Sequence, residues 1–195
     1  MKLFILLDTS GSMEGAKIGS LNDCMSNIII DLQEKAFNGS AIEMAVLSFS
    51  REISWMYEKP KSVLDFEWKE LSASGMTPLG QACIELSNHI TNYSDINQDN
   101  IIILLSDGCP TDDYEEGISV LKSNAVFIQS KRYAIALGED ADYNGLFTFT
   151  ESKENIFEIS NSNLLFDILQ SLVTTNHDMK NDNLGNIIDP DDEWS

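Results

Sequence analysis

The sequence predicts an α/β domain with a mostly parallel central sheet, one short antiparallel edge strand and helices on both faces. Three observations lead there. First, residues 2–7 and 101–105 are continuous apolar runs without polar alternation, as in strands buried on both faces. Second, Ile18, Leu21, Met25, Ile28, Ile29, Leu32 and Ala36 recur at three- and four-residue steps, the period of an amphipathic helix. Third, the two kinds of segment alternate along the chain, which calls for crossover connections between parallel strands.

The elements follow in order. The first apolar run stops at Asp8, and residues 8–15 are polar and glycine-bearing, so they form a loop. The first helix ends at Asn38-Gly39-Ser40. Residues 42–49 form a second strand, and residues 53–57 a short third strand close enough to pair with it as a hairpin. A connection follows with Val63, Leu64, Phe66, Trp68 and Leu71 as apolar anchors. Residues 72–76 are a loop, and Pro78 suits the first turn of a helix over residues 79–93. The run 101–105 is the candidate for the sheet centre and delivers Ser106-Asp107-Gly108 into a loop. Thr111 or Asp112 is expected to cap the next helix, which carries Ile118, Val120 and Leu121. A strand at 133–137, a short helix at 143–150, a strand at 156–159 and a helix near 164–175 complete the pattern. Residues 1–176 form the domain. Residues 177–195 read as an acidic, flexible tail, with Asp178, Asp182, Asp189, Asp191, Asp192 and Glu193 against Lys180.

Charge and cysteine content narrow the function. The formal net charge of −20 repels nucleic-acid phosphates and anionic membranes, so neither is an expected partner. Cys24, Cys83 and Cys109 make an odd count without metal-ligand spacing. Cys24 and Cys83 read as buried thiols, and a reducing cytoplasm is the expected location. The opening apolar run is too short for a signal peptide, and no segment suits a membrane span. His89 and His177 share no ligand pattern and are expected at the surface. Trp55 and Trp68 are expected to pack.

The chemistry gathers at strand ends, where sheets of this kind bind ligands. Asp8, Ser10 and Ser12 follow the first strand, Thr77 precedes a helix, and Asp107 follows the central strand. Two carboxylates and three hydroxyls suit a hard divalent cation. Two carboxylates neutralise such an ion without surplus negative charge, so it stays electrophilic toward one more oxygen. Ser10, Ser12 and Thr77 could each serve only as helix caps, but their convergence in one fold favours the metal.

Asp8-Thr9-Ser10-Gly11-Ser12-Met13 after an apolar strand resembles the first motif of von Willebrand factor type A domains. Gly75-Met76-Thr77-Pro78-Leu79 resembles the second, and Leu104-Leu105-Ser106-Asp107-Gly108 the third. The resemblance covers residues 1–176 and implies a Rossmann-like fold with a metal-ion-dependent adhesion site. Its ligands would be Ser10, Ser12 and Thr77 through hydroxyls, with Asp8 and Asp107 binding directly or through water. It implies magnesium, with manganese or calcium as alternatives, and a protein partner that supplies an acidic residue to the metal. The stretch 105–112 and Thr77-Pro78-Leu79-Gly80 are similar to stand-alone bacterial proteins associated with tellurium resistance and stress operons. That similarity implies a regulatory scaffold, with a kinase or phosphatase of the same system as candidate partner. Catalysis is not expected. The competing class is a magnesium-dependent phosphohydrolase or phosphotransferase with Asp8 as nucleophile. That chemistry wants a second acidic residue two positions on, where Ser10 stands.

Overall fold

The computed structural model describes residues 1–107, 109–138, 141–159 and 162–174. The expected domain end at 176, the acidic tail and His177 lie outside the described residues. In chain order the elements are β1 (Lys2–Asp8), α1 (Ala16–Phe37), β2 (Glu43–Phe49), β3 (Ile53–Trp55) and β4 (Lys61–Ser62). They continue with α2 (Leu79–Tyr93), β5 (Asn100–Ser106), α3 (Tyr114–Lys122), α4 (Ala125–Gln129) and β6 (Lys131–Leu137). The last are α5 (Tyr143–Thr150), β7 (Ile156–Ile159) and α6 (Ser162–Thr174).

One sheet runs in the order β3-β2-β1-β5-β6-β7. β1 pairs in parallel with both β2 and β5, and β6 and β7 extend the parallel array. β3 pairs antiparallel with β2 as expected, and so does the two-residue β4, which the sequence does not announce. The chain leaves β1 toward β2 and later returns to β5 on its other side. The order therefore reverses between β1 and β5, and a crevice opens at their carboxyl ends.

Alternation along β1 divides the core. Leu3, Ile5 and Leu7 face a layer containing Leu21, Met25, Ile28 and Leu32 of α1 with Leu165, Leu169 and Leu172 of α6. Phe4 and Leu6 face the other layer, with Leu79, Ala82, Cys83, Leu86 and Ile90 of α2, Ile118 and Leu121 of α3, Phe127 of α4 and Phe149 of α5. β5 is buried over its whole length, as its composition predicts.

Several local features differ from expectation. Asp113 caps α3 by accepting from the Glu116 amide, so neither Thr111 nor Asp112 is its cap. Asp112 instead accepts from the Gly80 and Gln81 amides at 3.0 and 2.8 Å, closing the start of α2. Pro78 sits just before α2 rather than in its first turn. α4 is a single short helix that periodicity does not reveal, begun by Asn124, whose side chain accepts from the Val126 and Phe127 amides. His89 is a correction: its side chain is buried, only 5% exposed. Its ring stacks on Trp55 at 3.7 Å and also meets Phe4 and Tyr93. An aromatic wall on α2 and β3 thus takes the imidazole inside. Trp55 and Trp68 are half-buried against the two layers, as expected.

Candidate metal centre

Asp8 is the last residue of β1, and its side chain is buried at the crevice. Both carboxylate oxygens are engaged. The Ser10 amide donates to Oδ1 at 2.9 Å, and the Ser106 hydroxyl donates to Oδ2 at 2.6 Å. Burial pushes the Asp8 carboxyl above its ordinary pKa, the two serine contacts oppose this, and the nearby Asp107 adds a smaller upward push. Among the described residues Asp8 is therefore an ionisable oxygen pair held by neutral donors alone, in a place that disfavours its charge.

The loop after β1 turns through a short 3-10 segment at Gly11–Met13, whose buried Met13 anchors it to the core. Neither serine serves as a cap there. Ser10 makes no side-chain capping bond to that turn, and α1 starts only after Gly15. The Ser10 and Ser12 hydroxyls lie 3.0 Å apart instead, and Ser12 donates to Asp107 Oδ1 at 2.7 Å. Asp107 follows β5 and is 6% exposed. Asp8, Ser10, Ser12 and Asp107 thus form a chain of polar contacts across the switch point.

Thr77 arrives on the second loop, which is tied to the first by backbone bonds. The Gly11 amide donates to Gly75 O at 3.0 Å, and the Ser74 amide donates to Thr9 O at 2.8 Å. Gly75 has φ +82°, where a side chain would be strained and would crowd Arg51. Thr77 is 5% exposed. Its amide donates to Thr111 Oγ1 at 3.0 Å, and the Thr111 amide returns a bond to Thr77 O at 2.9 Å. Because Asp112 closes the start of α2, the helix does not depend on the Thr77 hydroxyl for its cap.

All five predicted residues therefore lie at one end of the sheet. Four are joined by direct contacts, and Thr77 is buried on the loop bound to theirs. The donor set is entirely oxygen, as a hard cation prefers. Among the described residues no group of three His, Cys, Asp or Glu side chains gathers as a metal site, so a cation here would depend on the hydroxyls.

Sequence reasoning missed Lys17. Its ammonium, on the first turn of α1, pairs with Asp107 Oδ2. Helical period places Lys17 near the start of α1, but its reach to β5 is a tertiary fact. Ser106 lies within the third motif, yet its role as donor to Asp8 also needs the β1–β5 register. Cys109 is exposed beyond Asp107. A surface groove of about 730 Å³ lies elsewhere, between α1 and α6, and none of the five residues lines it.

With this geometry in place, comparison with known proteins is decisive for the fold. A profile of the von Willebrand factor type A domain matches residues 2–172. The chain belongs to that family. Among solved structures, proximal thread matrix protein 1 from the mussel byssus superposes with TM-score 0.67 at 16% identity, covering 88% of this chain and 46% of that one. A von Willebrand factor type A protein from Catenulispora acidiphila gives TM-score 0.67 at 16% identity, over 87% of this chain and 41% of that one. The ArnB paralog VWA2 from Sulfolobus acidocaldarius gives TM-score 0.65 at 23% identity, over 89% and 44%. This chain thus spans less than half the length of each of these relatives. The byssus protein has also been solved with a zinc-occupied MIDAS motif, the metal-ion-dependent adhesion site, at 15% identity to this chain. No curated protein sequence matches the chain. Among the described residues no helix is long and apolar enough to cross a membrane.

Proposed function

We propose that this von Willebrand factor type A domain is a metal-dependent protein-binding module. Asp8, Ser10, Ser12, Thr77 and Asp107 would hold a divalent cation, and a partner's acidic side chain would complete its shell. The observation that carries this reading is the contact chain from Asp8 through Ser10 and Ser12 to Asp107 across the β1–β5 crevice. Magnesium is the ion we propose, with manganese or calcium as alternatives; the zinc-occupied site of the byssus protein supports divalent loading in general. When bound, the cation supplies an electrophilic centre for a carboxylate oxygen. The chain's own residues orient the hydroxyls, balance the charge and keep the site at the carboxyl ends of the central strands.

The same residues favour binding over catalysis. Asp8 is held in one orientation by the Ser10 amide and the Ser106 hydroxyl, which leaves a lone pair on each oxygen for a cation or its bound water. Ser10 stands where a general acid would be wanted, and a serine hydroxyl does not ionise near neutral pH. The finer setting rests on sequence motifs: a regulatory scaffold in a bacterial stress-response or tellurium-resistance system, acting in the cytoplasm, with a kinase or phosphatase of that system as partner.

The test joins two measurements. Magnesium titration calorimetry should show one site in the wild type and none in Asp8→Ala or Asp107→Ala. Circular dichroism should show both variants folded. Affinity capture from the native cell should then retain a partner in magnesium and lose it with chelator or with either variant. Undiminished capture in chelator would refute the proposal.

A further inference from the structure

The two carboxylates of the site are compensated unequally. Among the described residues Asp8 has only neutral donors, the Ser10 amide and the Ser106 hydroxyl. Asp107 has the Ser12 hydroxyl on Oδ1 and the full positive charge of Lys17 on Oδ2. The pair is also asymmetric in exposure: the Asp107 side chain is 1% exposed and that of Lys17 is 45% exposed. Asp107 cannot turn to solvent for relief, whereas Lys17 can leave into water without burying its charge. Its ammonium also sits over the end of β6, within 3.6 Å of where a Cβ on Gly138 would be. That is ordinary contact distance, so Lys17 lies against the strand end, where Gly138 serves a turn at φ +108°.

We infer that Lys17 is a resident cation of this site, one that competes with the divalent metal for Asp107 and sets its affinity low. This rests on the metal-centre reading above. A divalent ion that takes Asp107 must either displace the ammonium from Oδ2 or bind beside it against like-charge repulsion, and both weaken binding. Without metal, Lys17 neutralises one of two neighbouring buried carboxylates, so the crevice holds together. Breaking a half-buried pair leaves a buried charge unmatched. Once displaced, Lys17 remains tethered at the rim on α1. The loaded site then carries net positive charge facing solvent, which favours an anionic ligand.

The experiment uses the full chain and magnesium as the probe. Wild type, Lys17→Met, Lys17→Gln and Lys17→Arg are titrated with magnesium by calorimetry, and each is melted in chelator and in saturating magnesium. Lys17→Met and Lys17→Gln should bind magnesium about tenfold more tightly or better, the size expected for removing one partly exposed like charge. Both should melt lower than wild type in chelator and gain more from magnesium. Lys17→Arg keeps the charge and should stay close to wild type. Equal or weaker affinity in both neutral variants, while the wild type binds magnesium, would overturn the inference and leave the metal-centre reading standing. No magnesium binding by any of the four proteins would overturn both. If Lys17→Met does not fold in chelator, Lys17→Gln carries the same criterion.

Discussion

Replacing His89 by Phe should remove an acid-sensitivity from this fold. His89 lies on α2 with its ring stacked on Trp55 and in contact with Phe4 and Tyr93. Its Nε2 is buried and has no hydrogen-bond partner among the described residues. Burial lowers its pKa from 6.5 to about 4, against a smaller upward pull from Glu85. In the unfolded chain the imidazole takes a proton as pH falls below about 6.5. The folded chain takes that proton only near pH 4. Between those values the unfolded state binds more protons, so stability falls as pH falls. The full span corresponds to roughly 3 kcal/mol at about 1.4 kcal/mol per pH unit. Burial costs in folded proteins usually fall below such a figure because the protein and nearby water relax around a new charge, which brings the expected loss to about 1–2 kcal/mol. Phe keeps the aromatic packing and removes both the titration and the unpaired nitrogen. Urea unfolding of both proteins at pH 7 and pH 4.5 isolates the effect, because the two chains differ only at this ring. Wild type should lose about 1–2 kcal/mol more than His89→Phe over that interval. An equal loss in the two proteins would refute the burial argument.

Two other substitutions probe how the loops are held. A Cβ on Gly117 would lie 2.1 Å from Gly80 O, so Gly117→Ala must push α3 away from α2 and should cost about 3 kcal/mol or more in urea unfolding. Thr77→Val keeps the shape of a buried side chain that the α2 start does not use as a cap. It should leave the melting temperature in chelator within a few degrees of wild type while weakening magnesium binding in calorimetry by about tenfold, the weight of one lost oxygen ligand.

Much of the fold was legible because the strands are of the kind that reads clearly. β5 is buried throughout, as a continuous apolar run of strand length suggests. The long α1 presents six buried residues at helical spacing. What escaped was short or tertiary. α4 has five residues, too few for a period to show, and β4 has two. The capping roles went to Asp113 and Asp112 in an arrangement that depends on α2 and α3 lying side by side. His89 was misplaced because a histidine on a helix is ordinarily exposed, and only the pairing of β3 with β2 brings Trp55 over it. The five oxygen-bearing residues were legible for the opposite reason. Each stands where a strand or loop meets the crevice, so the order of elements alone locates them. Lys17 was not, since nothing in residues 14–18 announces that an ammonium will cross to β5.

Lys17 also bears on how an acidic partner could approach a chain of net charge −20. At physiological ionic strength, charges more than about 8 Å apart are largely screened from each other. The overall charge then sets a weak background, and the site's own few charges decide the encounter. With a divalent ion bound, Asp8 and Asp107 are balanced and Lys17 leaves the rim with an unmatched positive charge. The attraction is therefore local and brief in range. A partner with a broad acidic face would meet the surrounding carboxylates as well as the metal, and the repulsion would outweigh one coordination bond. A partner that presents a single carboxylate from an otherwise neutral or basic surface would gain from both. On that reasoning, raising salt should weaken capture of such a partner only through the background, while chelation abolishes it outright.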